Sequence, residues 1–158
     1  MDVSFVTGKE KFNYRVCALL LHEGKILAMQ DERSPYYYLP GGRVRMGETA
    51  EQAVARELRE ELGVAVEIQR PLWLNQAFFT EDVDGLSYHE LCLYFLMAPV
   101  GPELLDKGES FVLREGKHTH TFTWLRWESL REAYFYPLFL KEEIFHLPDG
   151  LTLRTEWE

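Results

Sequence analysis

Residues 39–64 read LPGGRVRMGETAEQAVARELREELGV, and this stretch decides how the rest of the chain folds around it. It opens on Gly41-Gly42, where backbone without side chains can turn sharply and present a carbonyl or an amide to a ligand. A helix is expected over Thr49–Leu62. Thr49 and Gln52 have capping-box spacing, so each side chain can satisfy a backbone donor of the first turn. Gly63 is placed to stop the helix. At about 100° per residue, Val54, Leu58 and Leu62 are successive i,i+4 neighbours and form an apolar stripe. Glu57, Glu60 and Glu61, three and four apart, share one face. Glu61 lies seven residues, nearly two turns, beyond Val54, so it projects from the middle of the apolar stripe.

Acidic residues on a helix ordinarily form a solvated face. Three features argue against that here. The carboxylates converge instead of alternating with lysines, and like charges at i,i+4 weaken a bare helix. One of them interrupts the core stripe. The helix is also entered from a glycine pair. Clustered carboxylates with a backbone carbonyl are hard oxygen ligands, which favour Mg²⁺ or Mn²⁺ over Zn²⁺.

The order Gly42, five residues, Glu48, seven residues, Arg56-Glu57-Leu58, one residue, Glu60-Glu61, one residue, Gly63-Val64 resembles the complete box of the Nudix hydrolases. Seven fixed identities at roughly 5–7% usage each agree by chance, at a given start, on the order of 10⁻⁹ to 10⁻⁸ of the time, which sets coincidence aside. Leu39-Pro40-Gly41 also resembles the usual lead-in, with Tyr38 where many members carry tryptophan. The resemblance implies an α+β fold, an α/β/α sandwich with a mixed β-sheet and a loop-helix-loop box. It implies hydrolysis, by metal-activated water, of a pyrophosphate bond in a nucleoside diphosphate linked to another moiety, with Mg²⁺ as cofactor and Mn²⁺ as its substitute. By the same resemblance, Glu57, Glu60 and Glu61 bind the cations together with the main-chain carbonyl of Gly41, and Glu57 is the general base in many members. Arg56 and Glu48 then hold the glutamates and the loop in place. Many members add an acidic ligand from a loop beyond the central strands. Glu115, ahead of His118-Thr119-His120, is the candidate here, with Glu103 and Glu109 as others. Homodimers are common in the family. A nucleotide-sensing module that does not hydrolyse is the competing possibility, but a module that only binds has no chemical need for a full cation cluster.

Outward from the box, Tyr14–Leu21 and Ile26–Gln30 are expected to form a hairpin through His22-Glu23-Gly24-Lys25. Asp31–Tyr38 is expected as a loop. Its Tyr36 and Tyr37 are candidates to stack on a base, with plain packing of the loop as the equal alternative. Val64–Phe79 and Leu86–Ala98 are expected as long antiparallel strands joined by the turn Glu81–Gly85, with Phe78, Phe79 and Tyr88 in the strand core. Pro99–Gly116 is expected as a surface loop and Thr119–Trp124 as a strand. Short helical material and a small hairpin around Pro148-Asp149-Gly150 should end the chain. His118 and His120 are expected at the surface, and Trp124 and Trp127 in packing.

The bulk composition fits that outline. Neither repeat nor low-complexity linker divides the 158 residues, so one domain over residues 1–158 is expected. Apolar residues at 46% and charged residues at 27% are ordinary globular proportions. A net charge of −9 argues against a nucleic-acid polymer as partner, although a bound cation can reverse the sign of an acidic site toward a small phosphorylated substrate. No apolar run approaches the roughly 20 residues a membrane span needs. Met1-Asp2-Val3-Ser4 has no secretory character, and Cys17 and Cys92 read as buried free thiols, so a cytoplasmic setting is expected. The auxiliary motifs associated with ADP-ribose, NADH and coenzyme A members are not evident, which leaves the substrate open.

Overall fold

The most apolar runs of the chain, Val16–Leu20 and Ile26–Met29, are buried on both faces, and the layering follows from that. The computed structural model describes residues 1–158. Its elements are β1 (Ser4–Thr7), β2 (Glu10–Leu19), β3 (Leu21–His22), β4 (Lys25–Asp31), β5 (Gly41–Arg43), α1 (Ala50–Leu62), β6 (Ile68–Thr80) and β7 (Ser87–Met97). They continue with α2 (Pro102–Leu105), β8 (Ser110–Glu115), β9 (His118–Arg126), α3 (Leu140–Glu143) and β10 (Thr152–Trp157). One sheet has the order β1-β2-β7-β6-β10, with β5 on the same strand β2 as β1. It is mixed, because β2 runs parallel to β7 and β10 parallel to β6, while the other pairs are antiparallel. A second, antiparallel sheet has the order β3-β4-β9-β8.

Side chains on a strand alternate between faces. Val16, Ala18 and Leu20 therefore enter one core with Leu27, Met29, Phe95 and the helix residues Ala53, Val54, Leu58 and Leu62. Cys17 and Leu19 enter the other with Ile26, Ala28, Leu72, Trp73, Tyr94, Leu140 and Ile144. The sheets form the middle layer, with α1 on one side and the α3 segment on the other. This is the α+β arrangement with a mixed sheet that the box resemblance implied. No helix is long and apolar enough to cross a membrane.

Three expectations are corrected. The strand beginning near Tyr14 does not fold back on Ile26–Gln30. Leu21 and His22 pair across the turn with Ile26 and Lys25, and the Leu27 amide donates to the Leu20 carbonyl at 3.0 Å, but β2 before them joins the larger sheet. The turn itself is as read, with Glu23 and Gly24 both at positive φ (47° and 75°), as a two-residue hairpin loop requires. A one-sided hairpin would expose one apolar face of each strand, whereas switching sheets at Leu20 buries both. Pro99–Gly116 is not a loop throughout. Leu104 of α2 is buried, and β8 alternates, with Phe111, Leu113 and Glu115 facing inward. Pro148-Asp149-Gly150 does not close a hairpin, because the following strand β10 pairs with β6 in parallel.

Candidate active site

Helix α1 is fixed at both ends by the residues the sequence singled out. Thr49 Oγ1 accepts from the Gln52 amide at 3.0 Å and Gln52 Oε1 accepts from the Thr49 amide at 2.9 Å, the reciprocal bonds of a capping box. Gly63 ends the helix in the left-handed conformation, and its amide donates to the Arg59 carbonyl at 2.9 Å. With the helix so anchored, Val54, Leu58 and Leu62 are buried, and Glu61, only 8% exposed, is buried among them.

The glycine pair brings the backbone up to these carboxylates. Gly41 pairs with Cys17 of β2, and a Cβ on it would lie 2.1 Å from the Val16 carbonyl oxygen. A Cβ on Gly42 would lie 2.5 Å from the Glu57 carboxylate. Any larger residue at 42 would push Glu57 out of place. Gly41 donates its amide to Glu61 Oε1 at 3.0 Å.

Arg56 organises the other acids. Its Nε and Nη2 grip Glu48 in a bidentate pair at 2.7 and 3.0 Å, while Nη2 also reaches the Arg43 carbonyl at 3.0 Å. Its Nη1 donates to Glu57 at 2.8 Å and to Glu60 at 3.4 Å. The Arg56 bonds hold the Glu48 carboxyl down at about 2. Arg45 adds a longer contact to Glu60 at 3.9 Å, and the two guanidiniums together do not balance the whole cluster. Burial pushes Glu57 up, Arg56 pulls it down, and the charges of Glu60 and Glu115 push it up further, with a net upward result. Burial, then Glu57 and Glu115, push Glu61 well above the usual carboxylate range against the pull of the Gly41 amide. Glu115, at the end of β8 beside α1, thus adds its charge to the same cluster.

The donor set fits a hard cation by its chemistry: four carboxylates in excess of the positive charge beside them, two of them desolvated. As arranged, no three of these groups close on a single point. Glu57 is turned to Arg56 and Glu61 to the Gly41 amide, the partners available to repelling carboxylates. The other candidates stand apart. Glu109 pairs with Lys25, and Glu103 is exposed on the first turn of α2. His118 faces Glu32 at 3.1 Å at the surface. His120 is buried rather than exposed, because inward positions of β9 face the core, and its Nδ1 lies 3.9 Å from Glu115.

On the other face of the larger sheet lies a cavity of about 680 Å³. It meets the box at Cys17 and Leu39, next to Gly41. Tyr36 lines it, with its ring 5.2 Å from Tyr136 and 5.6 Å from Tyr134. Tyr37 turns away and packs against the second core. Phe78 and Phe79 line the cavity instead of filling the strand core, since the end of β6 runs past the packed layer. Tyr88 likewise lies outside both cores, stacked on Phe79 at 4.9 Å. Trp124 is buried and Trp127 packs against the second core, as expected. Sequence reading missed Arg15, Asn75 and Glu90, which also line the cavity. The available signal was polar residues at inward positions inside otherwise apolar strands.

The Asp31–Tyr38 loop at the cavity mouth is tied by Asp31, which accepts from the Tyr38 hydroxyl at 2.8 Å and the Arg33 amide at 2.7 Å. Burial pushes the Asp31 carboxyl up, but its bonds from Tyr38 and Arg33 together hold it at about 2. A carboxylate held low stabilises the fold above its unfolded value of about 3.9 and loses that contribution as pH falls through the folded value. The melting-temperature gap between wild type and Asp31→Asn is therefore expected to be widest near about pH 6 and to close as pH approaches about 2. A gap of constant size across that range would show that the tie carries no charge-dependent stability.

The sequence model of the NUDIX domain matches residues 11–145. The chain is 32% identical over 92 residues to the ADP-ribose pyrophosphatase of Methanocaldococcus jannaschii, a segment covering 56% of this chain and 52% of that protein. It is 31% identical over 94 residues to the 8-oxo-dGDP phosphatase of Danio rerio, covering 53% of this chain and 27% of that one. The chain thus spans about half the length of the first and about a quarter of the second. Among solved structures, the MutT protein of Bacillus halodurans superposes with a TM-score of 0.59 at 16% identity, over 90% of this chain and 89% of that chain, which is a likeness of fold.

Proposed function

This chain belongs to the NUDIX domain family, and from that premise we propose that it hydrolyses a pyrophosphate bond in a nucleoside diphosphate derivative, with Mg²⁺ or Mn²⁺ as cofactor. The observation that carries the proposal is the grouping of Glu57, Glu60, Glu61 and Glu115 about helix α1, two of them desolvated, with more negative charge than the Arg56 and Arg45 guanidiniums beside them balance. Glu57, Glu60, Glu61 and the Gly41 carbonyl would hold the cation, with Glu115 as a further ligand. When bound, it would acidify water and neutralise charge on the diphosphate.

The protein's own groups supply position and proton transfer. Arg56 orients Glu57 and Glu60 and is itself fixed by Glu48. Glu57, pushed up by burial, is suited to take the proton of the attacking water. The aromatic wall of the cavity gives a base a stacking surface, and the cavity reaches the box at Leu39. The named relatives act on different substrates, so they do not select one. The test is a hydrolysis screen with Mg²⁺ and Mn²⁺ over nucleoside triphosphates (oxidised ones included), ADP-ribose, nucleotide sugars, dinucleoside polyphosphates and NADH. Cation-dependent release of a nucleoside monophosphate or related product is expected. Tight binding of any of these without turnover would favour a sensing module.

Within this proposal Tyr36 stacks on the base and Tyr37 does not. Tyr36→Ala is expected to raise KM by roughly tenfold, equivalent to about 1.4 kcal/mol, with metal affinity unchanged. Tyr37→Ala should instead lower the melting temperature and leave KM alone. Wild-type KM in the Tyr36 variant would reject the stacking role.

A further inference from the structure

The cavity floor is built from adjacent strands at matching levels. Arg15 of β2 lies opposite Cys92 of β7, which lies opposite Asn75 of β6. One level along, Glu90 of β7 lies opposite Ala77 of β6, itself opposite Glu156 of β10. All six line the cavity. A continuously apolar floor would serve a purely hydrophobic ligand, and charged residues at these positions are otherwise costly.

Two buried polar atoms here have no partner. Arg15 Nε is enclosed and makes no hydrogen bond, and no carboxylate lies within ion-pair distance of the Arg15 guanidinium. Asn75 is 2% exposed, and its Oδ1 is also unpartnered. The orientation of that amide is chemically determined. Its Nδ2 donates to Glu156 Oε1 at 2.6 Å, and a carboxylate can only accept, so Oδ1 remains as the free acceptor. Glu90 receives only a long bond of 3.4 Å from Asn13. The floor therefore offers a donor, the Arg15 guanidinium, next to an acceptor, the Glu90 carboxylate, with Asn75 Oδ1 enclosed behind them. Buried groups of this kind are costly unless something pairs with them.

The charge of the lining restricts what that partner is. Asp31, Glu81, Asp82, Glu90, Glu156 and Glu158 are acidic, and Arg15 is the only basic residue. An anionic group would be repelled, so phosphate is a poor match for Arg15 at this depth. A neutral ring with a carbonyl beside N–H donors is the complement. A 2-amino-6-oxopurine edge presents a carbonyl, a ring N–H and an amino group in that order. Adenine would turn a ring-nitrogen lone pair toward a carboxylate. Uracil would turn its second carbonyl there. Hypoxanthine matches but lacks the amino donor.

We infer that Arg15 and Glu90, backed by Asn75, form a specificity site that selects a guanine-type base, with Arg15 donating to the 6-carbonyl and the two Glu90 oxygens accepting from the ring N–H and the amino group. The inference rests on the proposed nucleotide chemistry for its setting, but its test does not require turnover. Chemical-shift titrations of the ¹⁵N-labelled protein in EDTA, with guanosine, inosine, adenosine and uridine as probes, give affinities without phosphate or metal. Guanosine is expected to bind at least about tenfold more tightly than adenosine or uridine, with inosine between. Arg15→Gln and Glu90→Gln should each bring these affinities together. Equal affinities in wild type, a ranking led by adenosine or uridine, or no saturable binding would overturn the assignment. So would a uniform loss for all four probes in a folded Arg15→Gln. If neither variant folds, the wild-type ranking decides alone. A guanosine preference without hydrolysis in the screen above would leave the site standing and remove the pyrophosphohydrolase proposal. Hydrolysis with no ranking would do the reverse.

Discussion

Replacing Glu57, Glu60 or Glu61 singly with Gln is expected to lower kcat by about two orders of magnitude or more, as loss of a cation ligand or a general base should. The substitution keeps the size of each side chain and removes one charge. Its effect on folding should be small at Glu60, whose side chain is 38% exposed. Glu57 and Glu60 share the Arg56 guanidinium, so a neutral amide at either position also weakens a charge-assisted bond from Arg56. If Glu57 is the base, its Gln variant should lose kcat with little change in the metal concentration giving half-maximal rate. Loss of a ligand should raise that concentration instead. Turnover near wild type in any two of the three variants would remove the site assignment.

The second large effect is expected in stability, at Glu61. This carboxylate sits among Val54, Leu58 and Leu62 and near Glu57, and burial and like charge both oppose its ionisation. Its folded value is raised, so the folded state binds the extra proton. Without metal, its contribution to stability should then improve as pH falls from neutrality toward the unfolded value of about 4.3, opposite in sign to that of Asp31. Gln at 61 keeps an oxygen that can accept from the Gly41 amide and carries no charge. Metal-free Glu61→Gln should therefore melt at or above metal-free wild type while being nearly inactive. Wild type should gain thermal stability on adding Mg²⁺, because a ligand that binds only the folded state stabilises it by mass action. The variant should gain much less. Melts of both proteins in EDTA and in Mg²⁺ measure this. A clearly lower melting temperature for the metal-free variant would mean that Glu61 has a structural role beyond the Gly41 bond. An equal Mg²⁺ shift in both would place it outside the metal site.

The box was legible in the sequence because its determinants are local. The cap at Thr49, the stop at Gly63 and the intrusion of Glu61 into the stripe are all fixed within one helix by its periodicity. What escaped was set by long-range pairing. The switch of sheets at Leu20 depends on both faces of β2 finding a core, which an apolar run does not distinguish from a hairpin arm. Strand β8 has clean alternation but is flanked by Gly108 and Gly116, so its segment read as loop. The parallel partner of β10 lies more than seventy residues away in sequence. Arg15, Asn75 and Glu90 are unremarkable one at a time, and only the register of three strands brings them onto one floor.

Strand β2 carries apolar side chains to both of its faces, and this bears on how the chain finds its alignment. A slip of one residue normally turns greasy side chains toward water, and that penalty enforces register. Here a slip would only exchange Val16 and Ala18 with Cys17 and Leu19, one oily environment for another. Correct alignment must be enforced by the residues that do not tolerate exchange. These are Arg15, which would be driven toward the opposite core, and Gly41, whose bare backbone fits only against the Val16 carbonyl. Both sit where ligand is expected to bind. Mutational drift at this site would thus be filtered twice, once for chemistry and once for threading, which leaves fewer acceptable neighbours in sequence space than either demand would alone.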